Sequence, residues 1–182
     1  MNPTLKIILI VVAVLIIGFV ILVSTRPDDF RVSRSATIAA PPDAVFPQVN
    51  NLRRWEAWSP WAKLDPNAKA TYDGPEAGTG AGFAWDGNSK VGTGHMAITE
   101  SRSNELIRFK LDFLKPFKAT NEAEFTFRPD GNQTVVTWSM YGKCNFASKV
   151  IGLFMDCDKM VGGQFETGLA DLKSIAETSA KK

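Results

Sequence analysis

Histidine is all but missing from this chain of 182 residues: His95 stands alone. A His-rich metal centre is therefore excluded, and Ser-His-Asp chemistry would have to use that single imidazole without a G-x-S-x-G turn to present the serine. Cysteine is scarce too. Cys144 and Cys157 are the only two, and no C-x-x-C exists, which excludes the common zinc and dithiol redox motifs. In a helix starting near Phe146, Cys157 would lie roughly 15 Å along the axis, too far for a disulfide back to Cys144. Both are expected as small buried or half-buried thiols, and their number does not fix the redox compartment. Charge of either sign is balanced, with 21 Lys and Arg against 19 Asp and Glu and a net +2. No basic run or stripe occurs, so no nucleic-acid partner is expected. Internal repeats and low-complexity tracts are also lacking.

Several short patterns fail on inspection. Gly92-Thr93-Gly94-His95-Met96-Ala97 matches the G-x-G-x-x-A dinucleotide fingerprint, but a strand follows it where that mechanism needs a helix N-terminus. No cofactor is expected. Asp156-Cys157-Asp158 reads as a solvated helix face rather than half of a cation site, and no metal is expected. Asn132-Gln133-Thr134 fits a glycosylation sequon within a turn-rich segment and carries little alone. His95 is expected at the surface or rim of a sheet.

What the chain does have begins at its N-terminus. Ile7 to Val23 is 17 residues without a charge, a helix of about 26 Å, with Lys6 placed to snorkel to the headgroups. A cleaved signal peptide is the competing reading, but no small-x-small site follows Val23. Residues 5–23 are accordingly expected to be a retained transmembrane anchor contacting the lipid bilayer, with 24–29 a linker and 30–178 one folded domain. Arg26, Arg31 and Arg34 after the span favour a cytoplasmic domain by count. A short tail before a long domain is, however, the usual signal-anchor arrangement, and long domains translocate largely regardless of charge. The domain is expected outside the cytoplasm.

The rest is dominated by period-two alternation. Strands are expected at 30–39, 68–74, 82–86, 94–102, 106–114, 120–128 and 133–141, separated by short turns such as Pro129-Asp130-Gly131-Asn132. Between the first two lie a short helix around Val45, Phe46 and Val49, interrupted by Pro47, and a segment with Trp55, Trp58 and Trp61 at three-residue spacing. The chain ends on a stripe of Val150, Leu153, Phe154, Cys157, Val161, Phe165, Leu169, Leu172 and Ala176. That spacing predicts one amphipathic helix from Phe146 to Glu177, about 45 Å long, with Gly162-Gly163 as a soft or closely packed point. The order of elements predicts an α+β fold, a curved antiparallel sheet wrapped around a long C-terminal helix.

Aromatics are the informative constellation: twelve Phe, five Trp and two Tyr. A helix laid across a wide concave sheet leaves room at one end, and rigid aromatics with adaptable methionines suit the lining of such a space. The expected lining is Trp58, Trp61, Phe83, Trp85, Met96, Phe109, Phe113, Phe125, Trp138, Met140, Phe154 and Met160. A core filled by the same side chains is the alternative.

The segments FRVSRSATIAAPPDAVFPQVNNLRRWEAWSPW, GTGHMAITES, LDFLKPFKAT and KVIGLFMDCDKMVGGQFETGLADLK resemble the START-like superfamily, and within it the bacterial polyketide cyclase/dehydrase-like branch. The strand-to-helix opening I-x-A-P-x-x-V-F and the W-x-x-W-S-P-W segment are the most specific matches, and the resemblance covers about residues 30–177. It implies the helix-grip fold with a hydrophobic tunnel for lipids, quinones, sterols, polyketides or hormones, and enzymatic activity in a minority of members. No shared catalytic motif exists to carry over, so no catalytic residue is assigned. Two functions follow: a membrane-anchored binding domain for a hydrophobic or amphipathic small molecule (lipid, isoprenoid or polyketide-like), or a cyclase, aromatase or dehydratase acting in the same tunnel.

The uncharged span without a cleavage site gives a first test. N-terminal sequencing of the protein from the membrane fraction is expected to return the start of the chain. A mature N-terminus between Ser24 and Phe30 would refute the anchor.

Overall fold

A computed structural model of the protein describes residues 2–180. They form two compact units, one of residues 2–30 and 143–157, the other of residues 31–142 and 158–180.

In the smaller unit, helix α1 (Pro3–Ser24) is capped by the Asn2 side chain, which accepts from the Thr4 amide at 3.1 Å. Its 22 residues rise about 33 Å, long and apolar enough to cross a bilayer. Nearly every side chain on it is exposed, while Val23 at its end is fully buried. The short helix α5 (Phe146–Ile151) is packed on α1. Its Lys149 ammonium pairs with Asp28 and holds that carboxyl below the usual carboxylate range.

The larger unit holds the sheet. Strand β1 (Asp29–Ile38) lies at one edge, and the order runs β1-β7-β6-β5-β4-β3-β2. The others are β2 (Lys69–Asp73), β3 (Gly82–Asp86), β4 (Thr93–Arg102), β5 (Leu106–Lys115), β6 (Ala119–Asp130) and β7 (Gln133–Lys143). β2 to β7 form an antiparallel meander, so all seven expected strands are present within one to two residues of their expected ends. Register assigns the faces. Phe83 opposes Met96, Met96 opposes Leu111, Phe109 opposes Ala123 and Phe125 opposes Trp138, so these residues share the inner face. The outer face is polar. There Arg108 bridges Glu100 at 2.7 Å and Glu124 at 2.9 Å, and Asp112 accepts from Thr120 and Lys110, which hold its carboxyl below the usual range.

Helix α2 (Pro42–Asn50), a 3-10 turn at Leu52–Arg54, α3 (Trp55–Trp58) and α4 (Pro60–Leu64) bridge β1 and β2. The tryptophans do more than fill space. The indole N–H of Trp55 donates to the Val49 carbonyl at 2.8 Å and that of Trp58 to Gln48 at 3.0 Å. These carbonyls sit in the last turn of α2, where no helical amide can reach them.

The C-terminal segment departs from the single helix expected from its stripe. α5 ends at Ile151, Gly152 to Asp156 form turns, and α6 runs from Cys157 to Ser179. Leu153, Phe154 and Cys157 continue the helical spacing of apolar residues across the break, so periodicity alone does not mark it. From Val161 onward the stripe behaves as expected, with Phe165, Leu169, Leu172 and Ala176 buried. Before it, Phe154 is 79% exposed, and Cys157 is exposed rather than buried or half-buried. Cys144 is half-buried, its thiol pushed up by burial, and both cysteines are free.

α6 passes unbroken through Gly162-Gly163, and the two glycines have different reasons. Arg34 of β1 lies across the helix between Asp158, at 2.8 Å, and Glu166, at 2.7 Å. These carboxylates raise the Arg34 pKa further and hold Asp158 below its usual range. Gly162 stands midway, on the same face, where a Cβ would sit 2.1 Å from the Arg34 guanidinium. At Gly163 a Cβ would meet nothing within 4 Å.

Thermal unfolding distinguishes the two positions. Gly163→Ala is expected to stabilise the domain by about 1 kcal/mol, the helix-propensity difference. Gly162→Ala should gain nothing or lose stability, because its methyl displaces the guanidinium. In an Arg34→Ala background the same Gly162 substitution should recover the propensity gain. Equal effects of the two single substitutions would refute this packing.

Candidate ligand-binding site

The inner face of the sheet is largely apolar, and its two halves differ in cover. One half is sealed. Trp138 stacks on Phe165 of α6 with ring centroids 4.1 Å apart and on Phe125 at 4.7 Å. Trp55, Trp58 and Trp61 surround it edge-on at 5.9, 5.7 and 5.5 Å. Phe109 joins through Trp55 and Phe125. Gly168 lets α6 come this close, since a Cβ there would stand 2.9 Å from the Trp138 ring and 3.0 Å from Pro60. Of the twelve expected lining residues, Trp58, Phe109, Phe125 and Trp138 thus lie in this close-packed cluster, and Trp61 is half-buried at its margin.

The other half is open. A ladder of rings runs across β2, β3 and β5: Tyr72 to Phe83 at 5.2 Å, Phe83 to Trp85 at 5.9 Å and Trp85 to Phe113 at 5.8 Å. All four are half-buried, as are Leu111 and Met140 on the same face, while Met96 beneath them is buried. Trp85 can lie flat because its register partner on β4 is Gly94, where a Cβ would come within 2.4 Å of the indole. The indole N–H is held by the Val91 carbonyl at 3.3 Å. Four expected residues (Phe83, Trp85, Met96 and Phe113) therefore meet on one surface, with Met140 in the adjoining rows. Phe154 and Met160 are exposed, at 79% and 52%.

Tyr72 and Leu111 were not among the expected residues. The signal was present as strand parity, but Leu111 is aliphatic and falls outside an aromatic criterion, and Tyr72 sits on an edge strand of five residues, too short for alternation to assign its face. A second opening, also missed, lies where the Leu52–Arg54 turn meets the Gly-rich β2–β3 loop. It measures about 290 Å³ and is lined by Leu52, Arg53, Tyr72, Asp73, Gly74, Pro75, Glu76, Ala81 and Gly82. The Arg53 guanidinium covers the Tyr72 ring at 4.3 Å there.

His95 is half-buried on the outer face, its Nε2 3.1 Å from Asp73 Oδ1. Register pairs it with Ala84 and Asp112 rather than with the ring ladder. The sheet itself separates this imidazole from anything held on the inner face. Among the described residues no group of three or more His, Cys, Asp or Glu is placed to hold a metal ion.

Solved structures share the architecture. A protein from Chromobacterium violaceum superposes with a TM-score of 0.58 at 14% identity, over 84% of this chain and 99% of that one. The Aha1 dimer from Colwellia psychrerythraea gives 0.56 at 14% identity, over 82% and 98%. The di-domain ARO/CYC StfQ from the steffimycin biosynthetic pathway gives 0.61 at 13% identity, covering 85% of this chain and 52% of its own length. At these identities the likeness concerns the fold. No curated protein sequence matches the chain. A family model described as polyketide cyclase/dehydrase and lipid transport matches residues 29–177. That range takes in the whole sheet, the tryptophan segment and the C-terminal helix, and the chain belongs to this family.

Proposed function

We propose that the protein is a membrane-anchored binding domain whose open half-face takes up a hydrophobic or amphipathic small molecule, of lipid, isoprenoid or polyketide-like character. Membership of the family supports a hydrophobic ligand-binding or cyclase-type role. One observation carries the choice of site: Phe83, Trp85, Phe113, Leu111 and Met140 face inward yet stay half-exposed, while the neighbouring half of the same face is sealed by α6. Apolar surface left uncovered on an inner face is stabilised by an apolar occupant, at roughly 25 cal/mol per Å² removed from water. Met140 and Met96 can adapt to its shape, and the ring ladder gives flat, rigid contact. Binding rather than turnover fits the chemistry present, because the imidazole and its Asp73 partner lie across the sheet. Helix α1 is read as a single span that keeps the domain where such ligands partition and raises their local concentration. The domain is read as lying outside the cytoplasm.

Two measurements check this reading. Full-length protein in nanodiscs, titrated with fatty-acid, quinone and sterol-type probes, should show a saturable fluorescence change that disappears in Trp85→Phe. Phe113→Ala and Phe83→Ala should each weaken binding about tenfold, roughly 1.4 kcal/mol, at unchanged melting temperature. Trp138→Ala should instead lower stability by about 3–5 kcal/mol. If no probe saturates, or if the ladder variants melt early like Trp138→Ala, the ladder is core and not a site. Orientation is read from the exposed Cys157 thiol. A membrane-impermeant maleimide should label it in intact cells, and labelling only after lysis would put the domain in the cytoplasm.

A further inference from the structure

The meander gives the sheet two ends, and they differ in chemistry. One end carries the β2–β3, β4–β5 and β6–β7 connections, with Glu76, Glu105 and Asp130 and no lysine. The other carries the β3–β4 loop at 87–92 and the β5–β6 turn at 116–118, with Lys90, Lys115 and Lys118 and no acid in either connection. The carboxylates nearest this end already have partners. Asp86 accepts from Thr93, Asp112 from Lys110 and Thr120, and Asp65 from the Asn88 amide. Between the lysines stand Leu114, 50% exposed, and Phe117, 69% exposed. Large apolar side chains held out in water and flanked by free ammonium groups are the composition of a membrane-interface segment.

Two features of the fold point the same way. β1 enters the sheet at this end: Arg31 and Ser33 reach Ser139 and Ser35 reaches Thr137, whereas the Ala40 carbonyl takes Thr134 near the far end of β7. Only six residues lie between Ser24, where α1 stops, and Arg31, a reach of at most about 25 Å. The open ladder also lies at this end, for the row Trp85, Gly94, Phe113 is next to the pair Thr93 and Lys115. The sealed Trp138 cluster lies further along the strands.

We propose that this end of the sheet, through Leu114, Phe117 and the lysines Lys90, Lys115 and Lys118, docks on the surface of a bilayer containing anionic lipid. Docking would set the mouth of the ring ladder against the headgroups, so that an apolar ligand passes between membrane and site without crossing water. The lysines select anionic headgroups by their charge. They also disfavour a second copy of this chain as the occupant, because like charges would meet. The inference rests on the reading of α1 as an anchor and adds a second, independent membrane contact.

The test uses full-length protein with Cys144→Ser and Cys157→Ser, reconstituted into phosphatidylcholine vesicles with or without phosphatidylglycerol. A fluorophore is attached at Ser89→Cys in the β3–β4 loop or, as control, at Asn132→Cys in the β6–β7 turn, and doxyl-labelled lipid serves as quencher. The Ser89 label should be quenched several-fold more than the Asn132 label when phosphatidylglycerol is present. That excess should fall on removing the anionic lipid or raising salt. Leu114→Ser with Phe117→Ser, and separately Lys115→Glu with Lys118→Glu, should bring the Ser89 label down to the control level. All four side chains are exposed, so the melting temperature is expected to hold. Equal quenching of the two labels, or quenching indifferent to both double substitutions, overturns docking while the anchor stands. Failure of the protein to float with vesicles refutes the anchor itself. A protein-concentration-dependent shift of the Ser89 label in lipid-free detergent would assign the surface to a second copy and likewise overturn docking.

Discussion

The stack of Trp138 on Phe165 is the contact on which the remaining architecture depends. At 4.1 Å between centroids it brings the C-terminal helix onto β7, and it does so because Gly168 presents no side chain to the ring. Around the same indole the tryptophan segment closes edge-on, and two of its own indoles cap the carbonyls at the end of α2. Sheet, long helix and short helices are thus joined at a single aromatic node. Rigid rings with two rotatable bonds lose little entropy when fixed in this way, and each buries a large apolar area.

Concentrating the seal at one place has a consequence for the rest of the sheet. Seven twisted strands present more inner surface than one helix of 23 residues covers. The node takes the share formed by β6, β7 and the near part of β5, and the ladder of Tyr72, Phe83, Trp85 and Phe113 is left half-covered. A mismatch of area between sheet and helix is how a fold of this kind comes to carry an apolar concavity without any dedicated insertion. Gly94 deepens it by letting Trp85 lie against the strand instead of standing over it.

Electrostatics then gives the sheet a direction. The outer face neutralises itself through Arg108, Glu100, Glu124, Lys110 and Asp112, exposed pairs that individually contribute little. Arg34 is different in kind, since it fastens the edge strand to α6 through two carboxylates eight residues apart, with Gly162 making room between them. Lys90, Lys115 and Lys118 lie at one end of the strands, beside exposed Leu114 and Phe117, and Glu76, Glu105 and Asp130 lie at the other.

Strand positions, the antiparallel meander, the buried stripe from Val161 onward and the apolar character of α1 were legible in the sequence. Alternation of period two and spacing of three and four are local properties that the chain states directly. The same patterns could not say where the long stripe breaks, because apolar residues at helical spacing continue through Gly152 to Asp156. Nor could they sort the inward residues into a sealed cluster and an open ladder: Trp138 and Trp85 have the same parity and similar neighbours along the chain. Which of them is covered depends on where α6 crosses the sheet, and that is fixed by Gly168 against Trp138 and by Arg34 between Asp158 and Glu166, contacts between residues 30 to 132 positions apart. Side-chain direction follows from the sequence, but cover is a property of what lies opposite, and only the tertiary structure decided it.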